Sequence, residues 1–358
     1  MDKKRDTLFF IPDISGFTDF VNHTEISHSK HIISELLEGV MSKNVLGFEL
    51  VEIEGDALYY YKKGNLPTLS KILDQAKEMF LSFHQQLLLY KHQRLCECGA
   101  CTTAIDLSLK FVIHAGKSEL LAVGGGVPKP FGKDVILSHK LLKNRYAGNQ
   151  YMLLTDSFED EAIPDWFSKV PEEQTTDGEG NKLFFRDLSA MLDEIKFVPE
   201  KLIDDRTDNP VVYEGLIQAG SKEVFELISN LDHQPKWKTK VERMEYKENH
   251  VNRAGEKHLC YVDGKVLTLE SVGGDFGEGV QVFGEKTTDV PVLESVTTYF
   301  ILESKAEKTH LRIEAHLKAK SFLAKLVSPL IRGKVKKILM ENLDSIKSAA
   351  EHELLAFA

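Results

Sequence analysis

No stretch of this 358-residue chain approaches the roughly 20 consecutive apolar residues of a membrane helix. The opening MDKKRDTLFF leads into too short an apolar run for a secretory signal. Both absences point to a soluble, cytoplasmic protein. Basic charge is also scarce: 45 Lys and Arg stand against 55 Asp and Glu, a formal net charge of -10. That balance argues against a nucleic-acid partner, whose footprint is a basic surface, and leaves small-molecule sites open. There are only four cysteines, and three crowd into HQRLCECGACTT, so no disulfide framework is indicated. Internal repeats and low-complexity tracts are absent as well.

What remains is a chain with 42% hydrophobic residues, long enough for two domains with separate cores. TLFFIPDI reads as a strand, and SHSKHIISELLEGVMSKN places Ile32, Ile33, Leu36, Leu37 and Val40 at helical spacing. GFELVEIEGDALYYYKKG reads as a hairpin around Glu54-Gly55-Asp56. A long helix, a strand pair in LSLKFVIHAGKSELLAVGG, the helix KDVILSHKLLKN and the strand QYMLLTDSF follow. The order is β-α-β-β-α-β-β-α-β, an α+β sandwich with a ferredoxin-like core over residues 1–160. Residues 161–207, acidic and mixed, read as a linker or extension. From residue 208 to 358 the pattern is strand, helix, several strands and a long C-terminal helix interrupted by Pro329.

Three features carry chemistry. Cys96, Cys98 and Cys101, with His92 one helical turn earlier, have the donor types for zinc; a glycine-containing turn that binds nothing is the alternative. Asp13 closes the first apolar run and Asp56 lies in the hairpin turn. At neighbouring strand ends the two carboxylates would hold hard divalent cations, although either aspartate alone is also an ordinary turn residue. The glycine and helix after Asp13 would aim backbone amides at phosphates.

FIPDISGFTDF, ELVEIEGDALYYY, LKFVIHAG and FGKDVILSHKLL, in that order, resemble the catalytic domain of class III nucleotidyl cyclases, and the CxCxxC insertion resembles an uncharacterised bacterial branch of that family. The resemblance implies metal-dependent cyclisation of a nucleoside triphosphate in a head-to-tail homodimer. It implies two Mg2+ or Mn2+ ions per site held by Asp13 and Asp56, with Ile14 in the metal set, and phosphate held by the amides of Ser15, Gly16, Phe17 and Thr18. Glu52 and Lys129 occupy the base-selecting positions and favour guanine slightly over adenine; their bland reading is a solvated strand residue and a loop cation. The family's asparagine and arginine are replaced by Ile136 and Lys140. Lysine offers a point charge in place of a planar fork, and isoleucine cannot hydrogen-bond a ribose. Lys140, with Lys143 or Arg145 a turn further on, is the remaining catalytic cation. Pro12 is a second departure, expected to disturb the strand carrying Asp13. A catalytically degenerate domain that binds nucleotide and metal, or only dimerises, is therefore the alternative to a cyclase. The C-terminal element order resembles the START-like (Bet v 1-like) helix-grip fold, which implies a cavity for a hydrophobic small molecule or lipid. Trp237, Phe276, Phe283 and Tyr299 are candidates to line it, or simply to be core.

Overall fold

The computed structural model describes residues 5–143, 148–171, 182–198, 205–247 and 250–353, the side chains of 322–328 and 353 excepted. Arg145 lies outside the described residues. The chain divides into two compact α+β units, one of residues 1–89 and 103–197, the other of residues 90–102 and 198–358. No helix among the described residues is long and apolar enough to cross a membrane.

The first unit opens with β1 (Thr7–Ser15), followed by α1 (Phe17–His23), α2 (Ile26–Met41), the hairpin β2 (Glu49–Glu54) and β3 (Ala57–Lys63), and α3 (Leu69–Gln93). After α4 (Gly99–Thr103) come β4 (Ser108–Gly116), the short pair β5 (Glu119–Leu121) and β6 (Lys129–Phe131), α5 (Lys133–Leu142) and β7 (Tyr151–Thr155). The stretch read as a linker contributes β8 (Ser168–Lys169) and β9 (Leu183–Asp187), which extend the same sheet in the order β2-β3-β1-β4-β7-β9-β8. The strand pair expected after α3 splits: β4 joins this sheet, whereas β5 pairs with β6 in a separate ribbon.

Every residue of β1 is buried, so it reads as a continuous apolar run where a half-exposed strand would alternate. Phe9 and Ile11 pack with Tyr59, Val112, Leu137 and Leu141 on one face, while the Phe10 ring packs at a tilt against Phe48 and Phe111 on the other. Pro12 leaves the register of β1 at Asp13 unchanged. Pairing of β1 with β3 lapses after Phe10↔Tyr60 and resumes in the same register at Asp13↔Ala57, while β4 pairs with β1 without a break. The missing amide therefore costs a local rung without a register slip.

The second unit is a seven-stranded antiparallel sheet in the order β10-β16-β15-β14-β13-β12-β11. Its strands are β10 (Val211–Ile217), β11 (Val241–Glu245), β12 (Lys257–Val262), β13 (Lys265–Val272), β14 (Val280–Thr287), β15 (Leu293–Lys305) and β16 (Lys308–Ala319). The helices are α6 (Ser221–Ser229), between β10 and β11, and the terminal α7 (Phe322–Glu353), which runs through Pro329. α7 buries Leu339, Leu343 and Ile346, and a Cβ on Gly215 of β10 would fall 2.8 Å from the Leu343 side chain. Gly215 faces the same way as Leu311 and Ile313, and hence as Phe300 and Phe283. That is the helix side of the sheet. Tyr299, Ile301 and Val272 form a cluster on the opposite side. There Gly284 makes room for Tyr299 and Val272, whose side chains a Cβ would meet at 2.7 and 2.8 Å. Gly284→Ala is expected to destabilise the protein by about 1–3 kcal/mol through overpacking, read as a lower urea midpoint at unchanged slope.

Candidate functional site

The hairpin turn between β2 and β3 has two central residues, Gly55 and Asp56, because Glu54 pairs directly with Ala57. Gly55 has φ +65°, which glycine adopts freely at the first central position of a type II′ turn. The turn is fastened to β1 by Ile14 N–H donating to the Asp56 carbonyl at 3.2 Å. Asp13, opposite Ala57, is thereby brought beside Asp56. The two carboxyls interact closely: burial, then the charge of Asp13, pushes the Asp56 carboxyl up to about 7. Two adjacent carboxylates resist ionising together, so they retain a proton or take up a cation.

One cation is already built in. Lys110 of β4 lies directly across from Asp13, and its Nζ is 3.1 Å from Asp13 Oδ2. Burial opposes the ammonium charge, but Asp13, with Tyr151 and Asp56, holds its pKa above the usual lysine value. Beside this trio Ser15 is buried, and its Oγ has no hydrogen-bond partner. Gly16 follows with φ +89°, turning the chain into α1. An orphaned hydroxyl next to a carboxylate pair provides oxygen donors of the kind hard cations take. The residues fit a divalent ion, with Lys110 as the competing occupant. Lys110→Met is expected to lower the thermal stability of the metal-free protein by about 3 kcal/mol, the order found when one partner of a buried pair is removed. Mn2+ should restore much of that loss; an equal loss with and without Mn2+ would separate Lys110 from the cation site.

The two residues expected to select a base, Glu52 and Lys129, meet one another. Lys129 Nζ lies 2.5 Å from Glu52 Oε2, and Lys129 holds the Glu52 carboxyl below its ordinary value. Nearby, His139 of α5 stacks on Tyr59 at 4.5 Å and lies 3.4 Å from Glu54 Oε2, while Tyr59 and Ser138 share a hydrogen bond of 2.8 Å. These contacts dock α5 on the hairpin. Ile136 of α5 is 58% exposed, and Lys140 is exposed one turn later. Phe17 and Thr18 lie in α1.

α5 is also held at its start by Asp134 and His114, to which the resemblance assigns no role. Asp134 accepts from the Lys117 amide at 2.8 Å and lies 3.3 Å from His114 Nε2, whose Nδ1 meets Thr155 Oγ1 at 2.8 Å. Burial alone would raise the Asp134 pKa, but His114 and the Lys117 amide bring it below the usual value. Gly116 is required here, since a Cβ would fall 2.4 Å from the Asp134 carboxyl carbon.

At the cysteine cluster the histidine differs from the expected one. Cys96, Cys98 and Cys101 group with His28 of α2, their ligand atoms all within 4.8 Å of one another; His92 is outside the group. The spacing along α3 suggested His92, whereas the partner comes from 68 residues before Cys96, a distance no local motif reveals. Cys98 N–H points at Cys96 Sγ (3.3 Å) and Cys101 N–H at Cys98 Sγ (3.5 Å), an arrangement that favours thiolates. Hydrogen bonds from Cys96 and Cys98, then burial, push the Cys101 thiol far up. A dication would reverse that balance. Three sulfurs and one imidazole, mostly buried, could bind a metal such as zinc.

In the second unit the four candidate aromatics are divided. Trp237 and Phe283 both pack on Phe300, on the helix side, whereas Phe276 stacks edge-on with Tyr299 on the other side. They do not line one cavity.

Residues 33–151 match the model of a family described as "Protein of unknown function (DUF2652)". A curated relative from Mycobacterium tuberculosis (strain ATCC 25618 / H37Rv), "Uncharacterized protein Rv2561/Rv2562", is 32% identical over 124 residues, which is 35% of this chain and 57% of the relative. The chain thus spans little more than half of that relative's length. Similar solved structures include a START superfamily protein from Mycobacterium smegmatis, at 11% identity over 40% of this chain and 97% of that one, TM-score 0.32. Another is the Zhui aromatase/cyclase from Streptomyces sp. R1128, at 15% identity over 41% and 95%, TM-score 0.33.

Proposed function

We propose that the first unit is a class III cyclase-like domain that binds a nucleoside triphosphate together with Mg2+ or Mn2+, and that the second unit is a helix-grip domain for a hydrophobic small molecule or lipid. The observation that carries the first reading is the carboxylate pair: Asp13 and Asp56 at adjoining strand ends, Asp56 kept from ionising by burial and by the charge of Asp13, with the orphaned Ser15 hydroxyl beside them. The β-α-β-β-α-β succession and the strand order β2-β3-β1-β4 support this reading, which calls for a ferredoxin-like core.

Asp13 and Asp56 would hold the metal, and backbone amides from Ser15 to Thr18 would meet the phosphates. The bound ion supplies positive charge that polarises the 3′-hydroxyl and neutralises a pyrophosphate leaving group. Glu52 and Lys129 neutralise one another in the free protein; guanine would exchange that bond for one to its N1 and N2 hydrogens and one to its O6. Leu120, Leu121, Phe131 and Ile136 are exposed apolar residues on β5, β6 and α5, a patch that a second copy of the chain would cover in a homodimer. The same reading gives the His28 and cysteine cluster a structural Zn2+, since four protein donors leave no open position for chemistry.

Whether the site turns over is a separate matter. An exposed isoleucine and a lysine stand where ribose and transition-state contacts belong, and loss of such a contact typically costs on the order of 100-fold or more in rate. Binding without efficient turnover is therefore the primary reading; retention of both carboxylates favours cyclisation as the second. Purified protein incubated with each of the four triphosphates and Mn2+ tests the choice. Cyclic nucleotide and pyrophosphate lost in Asp56→Asn establish the enzyme; product that survives the substitution rejects the assignment of Asp56.

A further inference from the structure

The helix side of the second sheet carries a polar group that the ligand-binding reading has not used. Lys238, in the segment after α6, donates to Gln234 Oε1 at 2.5 Å and to Glu285 Oε1 at 2.7 Å, with both members of the Lys238–Glu285 pair at most 10% exposed. Gln234 is fully buried and donates to the Ile228 carbonyl at 3.1 Å, so this arm is anchored to α6. Burial would push the Glu285 carboxyl up, but Lys238 and His258 bring it down to about 2. Ion pair and amide satisfy one another. They behave as a finished structural unit.

Two neighbours do not. Ser271 sits directly opposite Glu285, and His258 directly opposite Leu269, two residues before Ser271. Both therefore share the face of Glu285 and Phe283. Ser271 is fully buried and His258 is 2% exposed. His258 Nε2 lies 3.3 Å from Glu285 Oε1 and helps hold that carboxylate ionised, whereas His258 Nδ1 and Ser271 Oγ have no hydrogen-bond partner. Two orphaned polar atoms on one patch of a buried sheet face call for an occupant, because native interiors pair such groups with protein, water or ligand. The surrounding face is apolar, with Leu269, Phe283 and Trp237.

We infer that His258 and Ser271 form the recognition point for a neutral hydroxyl or carbonyl group on an apolar ligand held between this sheet face and the helices. The inference rests on the reading of the second unit as a ligand-binding domain, and it names the ligand's polar group. Charge decides for a neutral group: Lys238 and Glu285 already cancel, and a further buried charge would have no partner to offset its desolvation. A hydroxyl suits the orphans, since it both donates and accepts, as do imidazole and serine.

The test uses the full chain and three probes of one ring system: naphthalene, 2-naphthol and 2-naphthoate, measured by equilibrium dialysis. The expected result is that 2-naphthol binds about tenfold or more tighter than either other probe, as two added hydrogen bonds would give. Ser271→Ala and His258→Phe, confirmed folded by circular dichroism, should each reduce that preference several-fold, read as the ratio of the naphthol and naphthalene affinities. Equal binding of naphthol and naphthalene, tightest binding of naphthoate, or a preference that survives both variants overturns the assignment of His258 and Ser271. No binding of any probe overturns the ligand-domain reading as well.

Discussion

Asp56→Asn is expected to make the metal-free protein more stable at pH 8 and at the same time to abolish its divalent-cation site. In the folded protein the Asp56 carboxyl titrates near 7, against an ordinary value of 3.8. Between those limits the folded state binds more protons than the unfolded one, so stability falls as pH rises through the window. The contribution is fully present below about pH 4 and lost above about pH 7. Asparagine does not titrate, so the variant should lack this decline, and its advantage over wild type should grow from pH 5 to pH 8. Metal binding should run the other way, since a cation needs the deprotonated carboxylate. Wild-type Mn2+ affinity should rise with pH over the same interval. The variant should lose more than the roughly 10- to 100-fold typical when only an outer partner of a metal ligand is removed. Thermal melts at several pH values with and without Mn2+ check both halves. A variant no more stable than wild type at pH 8 would mean that Asp56 is not held against ionisation.

The second large effect is expected at the cysteines. Wild-type protein purified without chelator should carry about one zinc per chain, and Cys98→Ser should carry almost none. Structural zinc in small sites contributes apparent binding free energies of about 10–16 kcal/mol at neutral pH. Losing even a third of that should lower the thermal midpoint by roughly 10 °C. His28→Ala should follow Cys98→Ser, and His92→Ala should behave as wild type. The opposite ranking of the two histidines would restore the ligand suggested by spacing along the helix; equal zinc near zero in all proteins would leave the cluster as three reduced thiols and an imidazole.

The contrast between those histidines shows what could be read from the chain. Local patterns carried far: β1, the β2–β3 hairpin, α3, α5 and α7 all appear where apolar spacing put them, because burial periodicity is written in adjacent residues. The Gly55-Asp56 turn was legible for the same reason. Partners that meet through topology were not. Lys110 sits opposite Asp13 only because β4 returns antiparallel to β1, and nothing in KFVIHAG marks its lysine as a counter-ion. The Glu52–Lys129 bond likewise joins two positions of the chain that were read as separate recognition groups. Face assignment failed at the aromatics of the second unit, where Phe283 and Tyr299 fall on opposite sides of one sheet. Cross-strand register decides such a question, and register depends on turns whose lengths the residues alone did not fix.

Equilibrium binding of labelled GTP at saturating Mn2+, wild type against Asp56→Asn, tests the central claim most directly. The account predicts saturable, Mn2+-dependent binding by wild type that EDTA removes and that weakens by more than tenfold in the variant. Binding of equal strength in both proteins, or no binding by wild type, would contradict it.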